Sequence, residues 1–303
     1  MKNYSISLII PHRDSIETLR RLINSLDKND RIEIIIVDNS INPIKLKDLN
    51  TDKYIKLIYS EYEKGAGGAR NKGLEIAVGK WIIFADADDF FPPNTVQLFF
   101  SLINSESDLI YFKMDSVYSD SLEKANRGQY YSQLVDNYLA GNIDTYKLRL
   151  CFGSPCSKMI RHSLIDKYNI KFDEVIASND AYFSMLVGYY AKKISAIPVS
   201  TYIATVKKGS ITNKRGIEFL KSRYKVVLRM NKFLRKHRLS SYQSSVMFYL
   251  YSAFKIGIYE LFNFLSLAIK YHQNIFIGFS RWYRSFMKFQ KKERNNSNYI
   301  NKL

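Results

Sequence analysis

WIIFADADDFFPP, Trp81 to Pro93, is the stretch on which the fold turns: an apolar, strand-like run enters three aspartates within four positions, and two prolines close it. In an extended segment side chains alternate, so Asp86 and Asp88 would share one side while Ala87 and Asp89 take the other. Open α/β sheets bind ligands at the C-terminal ends of their strands. Two carboxylates there suit a hard divalent cation that keeps positions open for phosphate oxygens. Aspartate is also a preferred turn residue, and the same letters read equally well as a solvated turn. The stretch alone leaves both readings open.

Short β-branched runs at Ser5–Ile10, Ile32–Val37, Lys56–Tyr59, Trp81–Ala85 and Asp108–Phe112 alternate with amphipathic segments. That alternation predicts an α/β domain with a mainly parallel sheet. Ile16, Leu19, Leu22, Ile23 and Leu26 fall at helical spacing, with Asp14 as the expected N-cap and Glu17 as its capping-box partner. Asn94 and Gln97 repeat the pattern for a helix through Ile103. A further helix is expected over Asp180–Ala191, followed by a strand over Ile194–Ile203. Two more strand ends carry turn or polar residues, Pro11 and Asp38-Asn39-Ser40, which implies a crevice shared with Asp86 and Asp88. The glycine-rich GAGGARNKG, Gly65 to Gly73, is no dinucleotide fingerprint, because Arg70 occupies the third-glycine position. It still reads as a helix start with free N–H groups for an anion, to which Arg70 adds a bidentate cation.

The ordered blocks SLIIP (residues 7–11), IEIIIVDNS (32–40) and EKGAGGARNKGLEIAVGKWIIFADADDFF (63–91) resemble the N-terminal half of the family 2 glycosyltransferases. The resemblance implies an α/β, GT-A (Rossmann-like) nucleotide-diphospho-sugar transferase fold and inverting, nucleotide-sugar-dependent chemistry. It places Pro11 at the border of the base pocket, Asp38 on a uridine-like base or ribose, and Arg70 near the nucleotide. Asp86 would join the ribose or the metal shell, and Asp88 would hold Mn2+ or Mg2+. More loosely, Gly153–Arg161 is similar to the segment beneath the family's acceptor cleft. Ser178-Asn179-Asp180 stands where the family has Glu-Asp, which makes Asp180 the catalytic base, although its own position also suits a helix N-terminus favoured by the dipole. Lys207-Lys208-Gly209-Ser210 resembles the family's Gly-Ser loop without the arginine often found just before it, Thr205 standing near that position. Lys207 and Lys208 are the expected diphosphate partners. The implied activity moves a sugar, from a UDP-sugar for preference, to a hydroxyl of a glycan or lipid-linked oligosaccharide in surface polysaccharide synthesis. The rival readings are a nucleotidyltransferase with an acidic metal site and a non-catalytic membrane-bound relative.

The blocks suggest three regions: residues 1–112 for the nucleotide sugar, 113–213 for the acceptor, and a basic, aromatic helical region at 214–303. The net charge of +18 is concentrated in the last, which holds 19 Lys or Arg against 3 Glu. No helix-turn-helix, zinc-finger or RNA-recognition signature accompanies that charge, which argues against a nucleic-acid partner. Phe279, Trp282, Tyr283, Phe286 and Met287 share one helical face with Arg and Lys around it, a pattern suited to an anionic membrane surface. Residues 246–269 are apolar, but Lys255, Glu260 and Asn263 interrupt them, so a buried or membrane-dipped helix is expected rather than a span. The N-terminus carries no signal-peptide core. The expected location is therefore cytoplasmic, peripheral on the inner face of the cell membrane. Cys151 and Cys156 match no metal or redox spacing and are read as reduced thiols.

Overall fold

The computed structural model describes residues 4–206 and 216–280, together with Trp282, Tyr283 and Met287. The chain forms two compact units that divide between residues 214 and 215.

The first unit runs β1 (Ile6–His12), α1 (Ile16–Asn24), β2 (Ile32–Asp38), β3 (Ile55–Tyr59), α2 (Gly65–Ile76), β4 (Trp81–Phe84), α3 (Thr95–Ser101), β5 (Leu109–Tyr118), α4 (Gln129–Leu139), α5 (Thr145–Cys151), β6 (Lys158–Arg161), α6 (His162–Tyr168), α7 (Ala181–Tyr190) and β7 (Ile194–Val206). The strands form one seven-stranded sheet in the order β3-β2-β1-β4-β6-β5-β7. Neighbours run parallel except at β6, which is antiparallel to both β4 and β5. Every residue of β1 and β2 is buried, the mark of strands covered on both faces, and this is why they are mostly apolar rather than alternating; the buried Glu33 is satisfied by Ser7 Oγ of β1. From β1 the chain builds outward first to β2 and then, on the other side, to β4. The C-terminal ends of these strands flank such a switch point, where open sheets receive ligands. Beside β4, Phe84, Phe172 and Phe183 pack as a ring cluster, with Phe172 stacked on Phe183 at 3.8 Å. The expected boundary at residue 112 falls inside β5, so the two halves of this unit share one sheet.

Several local expectations differ from what forms. Asp14 takes φ 53° and Ser15 is the N-cap of α1, its hydroxyl bonded to Thr18 Oγ1 at 2.8 Å rather than to the backbone. Asn94 does occupy the N-cap of α3, but at φ 64° and without a side-chain cap bond. Both helices stop two residues short of the expected ends. Strand β6, within the Gly153–Arg161 segment, carries no strand signal of its own, being four residues long with a lysine, buried in the fold, at its start.

The glycines of α2 serve packing. A Cβ at Gly67 would overlap the Asp173 carbonyl oxygen and meet Asn179 Cβ at 3.1 Å. Gly67→Ala is therefore expected to lower unfolding free energy by about 1–3 kcal/mol, the usual cost of overpacking. Gly153→Ala, where nothing lies within 4 Å, should stay within about 0.5 kcal/mol. Denaturant midpoints of the two variants check the contrast.

The second unit contains α8 (Ile217–Lys236), α9 (Met247–Ile256) and α10 (Ile258–Lys270). Its core joins Leu220, Tyr224, Leu228, Val246, Leu250, Ala253 and Phe264, with Tyr224 stacked on Phe264 at 4.8 Å. The apolar stretch 246–269 is broken at Gly257 into two helices, and no described helix is long and apolar enough to cross a membrane. At this elbow Phe254, Ile256, Ile258, Tyr259 and Phe262 are all exposed. Of the aromatic face expected further on, Phe279 lies 5.8 Å from Trp282, while Phe286 and the basic residues Arg281, Arg284, Lys288, Lys291 and Lys292 lie outside the described residues.

Candidate active site

Strand β4 ends at Phe84, and the backbone turns: Asp89 N donates to Asp86 O at 3.0 Å. The strict alternation expected beyond Ala85 therefore does not occur. Instead the turn gathers Asp86, Asp88 and Asp89, and one carboxylate oxygen from each lies within 4.8 Å of the others. The stretch is a turn, and the turn is what clusters the acids.

The three acids have different surroundings. Asp89 is buried and pinned to β7: Tyr202 donates its hydroxyl to Oδ2 at 2.8 Å, and Thr205 N donates to Oδ1 at 2.7 Å. Phe90 and Ile203 exchange backbone hydrogen bonds beside it. The Tyr202 hydroxyl also accepts from Asp86 N at 2.8 Å, so one side chain of β7 spans the turn. Asp88 is exposed, and the hydrogen bonds that reach it from Thr205 Oγ1 at 2.8 Å and Arg21 Nη2 at 2.5 Å go to its carbonyl. Desolvation in the cleft and the Asp86 charge push the Asp88 carboxyl up. Burial, followed by the charges of Asp88 and Asp86, pushes Asp89 well above the usual carboxylate range. A cluster of hard oxygens crowded enough to resist ionisation fits a divalent cation, which would relieve that repulsion.

Arg70 is buried on α2 with its guanidinium over the Phe172 ring, 5.3 Å from the centroid. It donates to Asp86 Oδ1 at 2.5 Å and to Asn179 Oδ1 at 2.9 Å. The amide oxygen of Asn179 thus supplies the acceptor a glutamate would, with one negative charge fewer. The next residue, Asp180, is the N-cap of α7, yet its side chain makes no cap hydrogen bond. Burial and then the nearby Asp86 raise its carboxyl, with Arg70 opposing.

On the other side of the crevice, Pro11 is buried in β1 beside Val37 of β2. Asp38 is buried with every bond inside the protein: Oδ1 meets His12 Nδ1 at 2.9 Å, Ser40 N at 3.1 Å and Ser40 Oγ at 2.6 Å, and Oδ2 accepts from Ile44 N at 2.8 Å. Burial works against its charge, but the Ser40 hydroxyl, Ile44 N–H and His12 outweigh it and hold the carboxyl low. Asp38 therefore shapes the loop from residue 38 to residue 44. Beside it, Asn39 Nδ2 is buried without a hydrogen-bond partner among the described residues, a donor left open at the strand end. Lys207 and Lys208 lie outside the described residues. Sequence reasoning missed Asp89 as a cluster member, and also Tyr202 and Arg21, and it noted Thr205 only as standing near the missing arginine. No local pattern marks these three as partners of the aspartates, because each reaches them from a distant element.

The model of glycosyl transferase family 2 matches residues 7–168. EpsH of Bacillus subtilis (strain 168) is 26% identical over 226 residues, 71% of this chain and 64% of EpsH. WfgD of Escherichia coli, a UDP-Glc:alpha-D-GlcNAc-diphosphoundecaprenol beta-1,3-glucosyltransferase, is 34% identical over 107 residues, 34% of this chain and 42% of WfgD. The chain thus spans less than two thirds of the length of either relative. Among solved structures, S. aureus TarS 1–349 in complex with UDP-GlcNAc superposes with a TM-score of 0.64 over 88% of this chain and 80% of that one, at 18% identity. That likeness shows the fold. With the matched segment covering more than half of its residues and the acidic turn inside that segment, the chain belongs to glycosyl transferase family 2.

Proposed function

We propose that the protein is an inverting glycosyltransferase that moves a sugar from a nucleotide diphosphate sugar, for preference a UDP-sugar, to a hydroxyl of a glycan or lipid-linked acceptor in surface polysaccharide synthesis. The observation that carries this is the Arg70 bridge. One guanidinium binds Asp86 of the acidic turn and Asn179, the residue before Asp180, and so sets the acidic turn and a carboxylate unused as a cap in one frame.

In this reading Asp88 and Asp86 hold Mn2+ or Mg2+, and Asp89 anchors the turn. When bound, that cation supplies charge to the departing diphosphate. Pro11, Asp38 and Asn39 border the base and ribose, with Asp38 setting the loop and Asn39 Nδ2 offering a hydrogen bond. Lys207 and Lys208 pair with the diphosphate. Asp180 accepts the proton of the acceptor hydroxyl as its oxygen attacks the anomeric carbon from the face opposite the leaving group. Single displacement inverts that carbon. UDP and UDP-GlcNAc complexes of TarS and a GDP-Man and Mn2+ complex of a mannosyltransferase of the same fold support the donor class and the cation.

Thermal-shift titration of the purified chain with UDP- and GDP-sugars, with and without Mn2+, tests the donor. A metal-dependent rise in Tm with at least one of them is expected, followed by nucleoside diphosphate release when acceptor is added. Release of pyrophosphate would instead indicate nucleotidyl transfer, and no rise with any nucleotide sugar sinks the proposal.

The second unit extends the reading to a membrane surface on the inner face of the cell membrane. Its exposed elbow of Phe254, Ile256, Ile258, Tyr259 and Phe262 sits in a region with 19 basic residues against 3 acidic ones. Apolar side chains within a basic field suit an anionic bilayer. Co-flotation with vesicles containing phosphatidylglycerol is expected for the wild type, and Phe254→Ser with Phe262→Ser should reduce it several-fold. Wild-type protein left entirely unbound at low salt would exclude the membrane partner.

A further inference from the structure

The geometry points to Arg127 as the residue that grips the diphosphate of the donor, a role that no motif in the sequence assigns to it; this rests on the glycosyltransferase reading above. Arg127 lies in the turn between β5 and α4, and the turn is built to hold it. Ala125 N donates to Ser116 O at 2.8 Å, Ser116 Oγ donates to Ala125 O at 2.8 Å, and Gly128 N donates to Ser116 Oγ at 3.1 Å. Gly128 is required for this approach, since a Cβ would stand 2.6 Å from Met114 O. From there Arg127 Nη1 reaches Thr205 O at 2.8 Å. Thr205 is the residue whose N–H holds Asp89 and whose hydroxyl holds the Asp88 carbonyl, so the guanidinium is fixed one residue from the acidic turn. Although desolvation by the protein around its guanidinium opposes its charge, the fields of Asp89, Asp86 and Asp88 outweigh it and raise the Arg127 pKa further.

What sets Arg127 apart is that its charge is uncommitted. Arg70 is taken by Asp86 and Asn179, and Arg21 bonds the Asp88 carbonyl. Among the described residues Arg127 makes no ion pair, and its one hydrogen bond goes to a neutral carbonyl, leaving four of the five guanidinium N–H donors open. An exposed arginine with an open fork beside three carboxylates matches a ligand with anionic oxygens that must approach those carboxylates. A diphosphate is that ligand, and a guanidinium binds phosphate oxygens in bidentate fashion. In the transfer step the bond between the anomeric carbon and the β-phosphate oxygen breaks. Its electron pair stays on that oxygen while the acceptor oxygen bonds to the carbon and yields its proton to Asp180. Arg127 holds the diphosphate on which the negative charge collects.

The test compares binding of a nucleoside diphosphate with that of its nucleoside, by calorimetry with Mn2+, using whichever of UDP and GDP binds the wild type. Arg127→Gln is expected to weaken diphosphate binding about 10- to 100-fold, the value of hydrogen bonds to a charged group, with nucleoside binding unchanged. Arg127→Lys, which keeps the charge but not the fork, should fall between, and it replaces the glutamine variant if that fails to fold. Equal weakening of diphosphate and nucleoside, or unchanged diphosphate binding, overturns the role of Arg127 and leaves the glycosyltransferase reading standing. If the wild type binds neither diphosphate, both fail.

Discussion

Asp180→Asn should retain nucleoside diphosphate binding and the wild-type Tm, yet lose transfer by about 10²- to 10⁴-fold in kcat, the span assigned to a positioned general base. Three features lead to this expectation. The carboxylate sits at the head of α7 but forms no cap bond, so amidation removes no hydrogen bond that the helix needs. Arg70 holds the preceding residue rather than Asp180 itself, which leaves the frame intact. Burial and the Asp86 charge raise the Asp180 carboxyl, bringing its proton affinity nearer to that of a working base than the reference value of about 3.9. The sign for pH follows: only the ionised form accepts a proton, so the rate falls as pH drops through the raised pKa. The wild-type acid limb in kcat should lie above the usual aspartate range, and the residual rate of the variant should lack it. Normal turnover by Asp180→Asn would remove this residue from the base role.

Asp88→Ala carries the second large expected effect, a loss of about 10²-fold or more in activity together with the loss of any Mn2+-dependent rise in Tm. Withdrawing several kcal/mol of charge stabilisation from a leaving group costs a factor of ten for each 1.36 kcal/mol. Folding should not suffer, because the Asp88 side chain is exposed and the bonds from Thr205 and Arg21 go to its carbonyl. In the metal-free protein the variant should be as stable as the wild type or slightly more so, since desolvation and the Asp86 charge both disfavour the Asp88 carboxylate. Asp89→Ala is the contrasting case. It strips acceptors from the buried Tyr202 hydroxyl and Thr205 N–H, each worth about 1–3 kcal/mol when left unsatisfied, so stability should fall along with activity. Metal-dependent Tm shifts and chelator titration of the two variants separate a ligand-holding acid from an anchoring one. Full activity after exhaustive chelation would exclude the cation.

The sequence by itself determined the parallel strands, because runs such as Ile32–Val37 carry apolar residues on both faces, broken only by Glu33, and so suit burial on both sides. It also placed Asp38, Asp86 and Asp88 at strand ends, and located the positive charge in the last third of the chain. Local capping was less legible: Asp14 and Asn94 both sit at helix starts, but their left-handed backbone turns their side chains away from capping.

Tertiary structure alone decided what surrounds the acids. Asn179 meets Arg70 across 109 positions of sequence, and Thr205 meets Asp89 across 116. Asp89 joined the cluster because the strand gives way to a turn at Ala85, and the apolar run 246–269 became two helices because the chain breaks at Gly257. Strand periodicity and charge are properties of neighbouring residues, and they survive in any linear reading. The partners of a carboxylate depend on which strands lie side by side, and only the order β1-β4-β6-β5-β7 brings the acidic turn under Tyr202, Thr205 and Arg127.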